Sequence, residues 1–284
     1  MMIIGLDTRR QIELLYCAAF RRQEPQIQSV AEIAVNVFVL TVALLFLKAS
    51  PVLAEGNPSR DELVKKAESV FGEPKNTTRL SKEGRVWIDK QRKLVIVDGF
   101  VTLREGQLEM FACPVGTKEH ESIVAIFASS QHIHAGLLAI GAKQGKPTQF
   151  EPYRPATGST IKIHVLFLDE KGEKQNKPAQ SWIRNVADDK ELQYDWVFAG
   201  SILYKDPDTG EETYLADSGD LICVANFPTA TLDLAIQSIS SNSFLTYAAF
   251  TERLPPRFTV VRLVLEVSDQ TPKQITEKKK SEGK

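Results

Sequence analysis

Four residues near the middle of the chain, His120, Glu121, Ser122 and His134, are of types that could do chemistry. Histidine and carboxylate side chains are common ligands of zinc and iron, and they also act as catalytic acids and bases. His120 and Glu121 directly precede the apolar stretch that begins at Ser122, and His134 belongs to the next predicted helix, so the side chains could meet at one end of a sheet. Three interpretations remain open: a hydrogen-bonded structural corner, a binding site for a ligand other than a metal, and a divalent-metal or catalytic site of His120, Glu121 and His134.

His132 and His134 have the His-x-His spacing of a metal-binding pair on a strand, where alternate side chains point the same way. The apolar residues from Ile133 to Ile140, however, recur at i, i+4 and i+7, which predicts an α-helix. On a helix, side chains two positions apart diverge by about 200°, so a metal ion shared by the two histidines is disfavoured. We expect His134 to be partly buried and His132 to face solvent.

The elements that must position these residues are those of a β-rich α+β domain. Short β-branched runs between turn residues recur from 85 to 267, including 195–204, and predict a mostly antiparallel sheet. Residues 85–115 read as a meander whose strands are separated by Lys-Gln-Arg-Lys, Asp-Gly and Glu-Gly-Gln. One or two helices pack on the sheet: the one that carries the two histidines, and a shorter one that starts with the capping-box spacing of Ser59 and Glu62.

An N-terminal signal or anchor helix precedes this domain. Residues 33–47 form an apolar run that only Asn36 and Thr41 interrupt. A run of about 15 residues fits the core of a signal peptide better than a full membrane span, which needs about 20. Val52 and Ala54 are small residues at the −3 and −1 positions of a cleavage site. We therefore expect export, either to the periplasm after cleavage or, if the segment stays uncleaved, to the inner membrane with residues 33–47 as the anchor.

Export decides how the three cysteines are interpreted. Cys17 precedes the apolar run and is removed or stays in the cytoplasm, whereas Cys113 and Cys223 reach an oxidising compartment, where they are candidates for one disulfide. The sequence contains no Cys-x-x-Cys motif, which argues against an iron–sulfur cluster, a zinc ribbon or a thioredoxin-like site.

The chain divides into four predicted parts. Residues 1–54 are an N-terminal extension with the signal peptide or signal-anchor, residues 55–75 are a short helix or linker, residues 76–268 are the main domain, and residues 269–284 are a polar, lysine-rich tail that we expect to be disordered.

Several segments of the main domain occur together in one known family. They are "CPVGTKEHESIVA", "IHAGLLAIGAKQGKP", "AQSWIRN", "WVFAGS", "YLADSGDLICVANFPTATLDLAI" and "ERLPPRFTVVRLVL". Over roughly residues 80 to 267 the chain resembles the YdjY-domain proteins, which are exported bacterial proteins common in planctomycetes. The resemblance implies that the family's His-Glu-Ser…His pattern, here His120, Glu121, Ser122 and His134, forms a unit, and it implies no particular activity.

Together these features favour an exported, non-catalytic binding or structural module, in the periplasm or tethered to the membrane. The alternative is a metal-dependent envelope enzyme of the hydrolase type that uses His120, Glu121 and His134 with a divalent metal as cofactor. The 35 Lys and Arg residues nearly balance the 36 Asp and Glu residues, and no stripe of aromatic and basic residues occurs, so we expect no nucleic-acid partner. A protein or small-molecule partner stays open.

The first prediction concerns the N-terminus of the native protein. If residues 33–47 are a cleaved signal peptide, the purified protein begins near Glu55, because Val52 and Ala54 define the cleavage site. Edman sequencing or intact mass of protein isolated from the envelope measures this start. A soluble cytoplasmic protein with Met1 still in place would contradict export.

Overall fold

The computed structural model describes residues 56–238 and 245–268. Three predictions fall outside these ranges: the signal or anchor helix at 33–47, the cytoplasmic or removed Cys17, and the disordered tail at 269–284.

The chain divides into two units, residues 1–57 and residues 58–284, and the described helices and strands belong to the second. Within the described ranges, no helix has both the length and the apolar character that crossing a membrane requires. The described residues form two α-helices and seventeen β-strands, which are α1 Arg60–Phe71, α2 Ser130–Ala139, β1 Thr78–Arg79, β2 Val86–Asp89, β3 Leu94–Val101, β4 Met110–Pro114, β5 Ser122–Ile126, β6 Gln149–Phe150, β7 Tyr153–Arg154, β8 Thr160–Leu168, β9 Lys174–Pro178, β10 Ile183–Asn185, β11 Trp196–Phe198, β12 Leu203–Lys205, β13 Glu212–Tyr214, β14 Ile222–Cys223, β15 Leu232–Leu234, β16 Tyr247–Ala249 and β17 Val260–Ser268.

Eight of these strands close into a barrel, in the order β3, β17, β8, β11, β15, β14, β4, β5 and back to β3. The pairs β4–β5 and β14–β15 are parallel, and the other pairs around the ring are antiparallel. Outside the ring, β2 pairs with the first half of β3, and β9 pairs with the second half of β8. The predicted β-rich fold with packed helices is confirmed for the described residues, whereas the closure and the mixed strand order go beyond the prediction.

The predicted Asp-Gly turn at residues 98 and 99 is wrong, because both residues lie inside β3. Gly99 pairs with Ile126 of β5 on one side and with Val261 of β17 on the other. A Cβ atom on Gly99 would lie 2.3 Å from the carbonyl oxygen of Ala125, so only glycine allows β5 to approach this closely. This approach is where β3 leaves β2 and joins β5, and it closes the barrel.

Large aromatic side chains fill the barrel interior. The ring of Phe111 on β4 lies 5.8 Å from that of Trp196 on β11 and 6.5 Å from that of Trp182, and Phe167 on β8 lies 5.4 Å from Trp182. All four rings are buried in one apolar cluster. The indole nitrogen of Trp196 donates to the Cys223 carbonyl at 2.7 Å, so its polar atom is satisfied inside the core.

Both predicted helices are confirmed. Ser59 and Glu62 form the complete capping box at the start of α1, and the Ser129 side chain caps the start of α2. Helix α2 packs on β2 and β3 and adds Ile133 and Leu137 to the same apolar cluster that fills the barrel. Helix α1 packs instead on the outer face of β3 and β17.

A buried ionic cluster fastens α1 to that outer face. The fully buried Asp98 carboxylate accepts hydrogen bonds from Arg85 Nε at 2.8 Å and from Arg262 Nε and Nη2 at 2.6 and 3.0 Å. Arg85 and Arg262 also donate to the Gly72 carbonyl, at 3.1 and 2.8 Å, just after the last residue of α1. Both guanidinium groups lie over the Trp87 ring. The two positive charges therefore neutralise Asp98 and face the negative end of the α1 dipole.

The second prediction is that Asp98→Asn destabilises the protein by about 3–5 kcal/mol, because it removes the one buried counter-charge that Arg85 and Arg262 share and leaves Arg85 only the exposed Glu68 carboxylate at 3.1 Å. Urea unfolding followed by tryptophan fluorescence measures the change. The matched control is Glu73→Gln, which breaks an exposed pair with Arg79 at 2.8 Å and should cost no more than about 1 kcal/mol. Equal, small effects of the two substitutions would contradict the role of Asp98.

Candidate functional site

His120, Glu121 and Ser122 lie where the loop after β4 enters β5. His120 and Glu121 are the last two loop residues, and Ser122 is the first residue of the strand. His120 is exposed, and its Nε2 atom lies 2.7 Å from Oε1 of Glu121. Ser122 is fully buried and lies beside the thiol of Cys113. The structure thus brings His120 and Glu121 together and places Ser122 in the interior of the sheet.

Glu121 also shares a hydrogen bond with a second carboxyl group, that of Glu109 at the start of β4. Burial, with help from this hydrogen bond and from the charge of Glu121, raises the pKa of Glu109 to about 7. The same hydrogen bond lowers the pKa of Glu121. Glu121 Oε2 is buried and no ordinary donor among the described residues reaches it. Below about pH 7 the proton on Glu109 is donated to the Glu121 carboxylate, so the pair shares one proton.

The positively charged side chain of Lys118 lies beside the pair of Glu109 and Glu121. Its Nζ atom lies 3.0 Å from Oδ1 of Asp220 and 3.7 Å from Oε2 of Glu109, and it sits over the ring of Phe227. Burial lowers the pKa of Lys118, but the neighbouring carboxylates, chiefly Asp220, raise it by more, so the net shift is upward. These ionic contacts connect the loop before β5 to the start of β14. The cluster therefore stabilises the packing of the two segments, and its Glu109 carboxyl group can accept or release a proton.

His134, the third member of the predicted metal set, lies elsewhere. It is on α2, where its contacts are with Tyr214 and Phe198. Among the described residues, no group of three or more His, Cys, Asp or Glu side chains is placed to hold a metal ion. The divalent-metal arrangement of His120, Glu121 and His134 is therefore not assembled in this part of the chain.

A hydroxyl network fixes the ring of His134. Nδ1 of His134 lies 2.8 Å from the Tyr214 hydroxyl, which in turn lies 3.2 Å from the Gly200 carbonyl and 3.0 Å from the Thr231 hydroxyl. The Gly200 carbonyl, which can only accept, is also a hydrogen-bond partner of the His134 ring. A neutral imidazole carries one proton, so one ring nitrogen donates and the other accepts. Burial lowers the pKa of His134, so the ring is neutral at pH 7.

The half-buried His134 ring lines an open cavity between α2 and the β12–β13 hairpin. The cavity holds about 480 Å³. Leu138 on α2 and Leu203 on β12 stand at its sides with 47% and 61% of their surfaces exposed, and Tyr214 is at its floor. Glu212 is the one residue among those lining it that is charged at neutral pH. We call this space the α2–hairpin pocket. It combines exposed apolar walls with a fixed polar group, as ligand sites do.

Unusual backbone forms one wall of the α2–hairpin pocket. Gly200 has φ of 90°, and Ser201, which is not a glycine, has φ of 55°. A Cβ atom on Gly200 would lie 2.2 Å from the Gln144 side chain, which would have to move, and the positive φ disfavours any residue other than glycine here. The Ser201 hydroxyl accepts from the backbone nitrogen of Ala216 at 3.1 Å, which holds the left-handed turn in place. The predicted strand at 195–204 is wrong at this point, because the turn divides it into β11 and β12.

His132 is not turned fully to solvent as expected. It is half-buried, and its Nδ1 atom lies 2.7 Å from the hydroxyl of Ser129, the residue that caps α2. The histidine thus supports the start of the helix, and a second bond runs back from its backbone nitrogen to the same hydroxyl.

The predicted disulfide does not form between the two described cysteines. Cys113 and Cys223 are both buried free thiols. The register pairs Cys223 with Met110, three residues before Cys113 on β4. Three residues along a strand span roughly 10 Å, and odd spacing places Met110 and Cys113 on opposite faces, whereas a disulfide needs Cα atoms within about 7 Å.

Sequence reasoning missed Glu109, Tyr214 and the exposed wall of the hairpin. Glu109 carries no motif and joins Glu121 only because β4 and β5 run side by side. Tyr214 is 80 residues from His134 in sequence. The run Ile202-Leu203-Tyr204 was visible as an apolar signal, but such a run ordinarily predicts a buried strand, and in the folded chain all three side chains are exposed.

Comparison with known proteins identifies one region of the chain. The profile of the YdjY domain matches residues 86–266. This range begins with β2, ends within β17, and includes all or most of every ring strand together with the α2–hairpin pocket. Searches of curated proteins and of solved structures gave no significant match.

The third prediction concerns the shared proton of Glu109 and Glu121. The unfolded chain releases the Glu109 proton near pH 4.5, whereas the folded chain keeps it up to about pH 7. The folded state therefore binds more protons in this window, and its stability falls as the pH rises from 4.5 to 7. Buried Asp233, whose pKa burial also raises to about 7, acts in the same direction.

Glu109→Gln should reduce this loss of stability, because the amide stays neutral at every pH and can still donate to Glu121. Urea midpoints measured between pH 4 and pH 8 give the slope, with Asp233→Asn as the variant that isolates the other group and exposed Glu105→Gln as the control. An unchanged slope in Glu109→Gln would show that the carboxyl pair does not share a proton.

Proposed function

The chain belongs to the YdjY domain family, and we propose that its YdjY domain is an exported, non-catalytic binding module whose ligand occupies the α2–hairpin pocket. The observation that carries this proposal is the fixed His134 ring beside exposed apolar walls. Soluble domains seldom expose large apolar side chains around a concavity unless something covers them.

Export is supported by the sequence. The apolar run at 33–47, the small residues Val52 and Ala54 and the arginines before the run are the parts of a signal peptide or signal-anchor. The binding module would then act in the periplasm, or at the outer face of the inner membrane if residues 33–47 stay attached.

Binding is favoured over catalysis by what the polar groups of the pocket contact. Nδ1 of His134 is engaged by Tyr214, and the Ser201 hydroxyl is engaged by the backbone nitrogen of Ala216. A nucleophilic serine needs a base within hydrogen-bonding reach, and these contacts give each group a structural partner instead. The alternative of a metal-dependent hydrolase required His120, Glu121 and His134 to converge, and His134 lies with Tyr214.

The chemistry of the pocket restricts its ligand. A neutral imidazole, two glutamine amides and one carboxylate favour a ligand that donates hydrogen bonds, and the apolar walls favour one with aliphatic or aromatic surface. Among the described residues, no lysine or arginine lines the pocket, so an anionic ligand would lack a counter-charge there.

The fourth prediction tests the pocket with a library of fluorinated aromatic and aliphatic amide fragments, measured by ¹⁹F NMR on the purified protein. Fragments should bind, and Ala135→Trp should weaken binding at least about tenfold, or about 1.4 kcal/mol, because Ala135 is an exposed residue of α2 that lines the pocket.

The matched control is Ala139→Trp, an exposed position on the same helix that does not line the pocket. It should leave fragment binding unchanged. Fragments that bind equally to both variants would place the ligand elsewhere and overturn the proposal.

A further inference from the structure

The β12–β13 hairpin exposes more apolar surface than its size explains. Ile202, Leu203 and Tyr204 are consecutive, and 42%, 61% and 47% of their surfaces are exposed. With Leu138 on α2 they account for four of the six large apolar residues that are exposed in the described part of the chain. An apolar patch of this kind marks a surface that contacts another molecule.

The hairpin also has open strand edges. In the described part of the chain, β12 and β13 pair only with each other, through Leu203 with Tyr214, Tyr204 with Thr213 and Lys205 with Glu212. A two-stranded hairpin of three-residue strands is marginal in water without further support. Its unpaired backbone groups are a template for one more strand.

The two faces of the hairpin determine which side chains of an added strand would reach the pocket. Leu203, Glu212 and Tyr214 lie on the face that lines the α2–hairpin pocket, and Ile202 and Tyr204 alternate onto the other face. An added strand would alternate in the same way. Every second side chain would enter the pocket between Leu138 and Leu203, which the His134 ring also lines.

Charge selects the kind of strand. From 203 to 214 the hairpin carries four acidic residues, Asp206, Asp208, Glu211 and Glu212, and one basic residue, Lys205. The pocket beside it is lined by no lysine or arginine from residues 56–238 and 245–268. This surface is complementary to a positively charged segment and repels an acidic one.

We propose that the β12 edge and the α2–hairpin pocket together bind an extended basic peptide segment of a partner protein, which adds as a strand to the hairpin and places alternate apolar side chains in the pocket. This inference rests on the proposed binding function and names its ligand class. Main-chain hydrogen bonds supply affinity, the pocket selects apolar side chains at alternate positions, and the acidic loop selects lysine or arginine between them.

The test uses three labelled synthetic peptides of seven residues and fluorescence anisotropy on the purified protein. The first alternates lysine with leucine or valine, the second has the same composition with its lysines grouped together, and the third replaces lysine by glutamate. The alternating basic peptide should bind at least about tenfold more tightly than either of the others. Equal binding of the grouped peptide would mean that charge alone is recognised and would overturn strand addition.

Variants locate the binding surface. Leu203→Gln and Glu212→Lys should each weaken the alternating peptide at least about fivefold, because one removes an apolar wall and the other reverses a charge. The matched control is Val186→Gln, at a residue that is 54% exposed and does not line the pocket. It should bind the peptide as the unaltered protein does. Unchanged affinity in both hairpin variants would overturn the inference.

Two outcomes separate this inference from the proposed function. If fragments bind and Ala135→Trp weakens their binding, but no peptide binds, the pocket is a small-molecule site and only the peptide inference fails. If light scattering shows a dimer that Leu203→Gln dissociates, a second copy of the chain occupies the hairpin and the peptide inference fails as well.

Discussion

The buried carboxylate of Asp98 is the interaction on which the outer layer of the fold depends. An isolated charge in this position would be strongly unfavourable, and Asp98 is tolerated because Arg85 and Arg262 both bind it. The same two guanidinium groups hold the Gly72 carbonyl at the end of α1. One buried charge thus links β3, β17 and α1. Its partners are fixed in geometry as well as in number, so the cluster specifies where the helix docks.

Barrel closure places the candidate site. At Gly99, β3 exchanges β2 for β5 as its neighbour, and the parallel pairing of β5 with β4 then brings the loop that ends at Glu121 back beside Glu109. On another part of the molecule, the left-handed turn at Gly200 and Ser201 ends β11 and directs the chain into the hairpin. The pocket therefore owes its shape to a turn that a regular strand could not make.

The sequence predicted the elements whose signals are local. The capping box of Ser59 and Glu62, the helical period from Ile133 to Ile140 and the β-branched runs each act through neighbours a few residues away, so they could be recognised without the fold. The Asp98-Gly99 pair has the local signature of a turn, but pairing of β3 with β17 on one side and with β5 on the other overrides it. Likewise, nothing in the spacing of His120 and His134 shows that α2 turns the second histidine toward Tyr214. Contacts between segments distant in the chain determine which residues meet at the site. No local pattern in a single sequence shows these contacts.

The enclosed thiols of Cys113 and Cys223 have a consequence for how this domain matures. Burial raises the pKa of both thiols, so few thiolates are present to react. Without a crosslink between them, the described barrel needs no disulfide for its native state. The two thiols can form incorrect disulfides only before the strands close around their sulfur atoms. In the folded barrel, alkylation of either sulfur would report each opening event, so the rate of alkylation would measure how often the barrel opens.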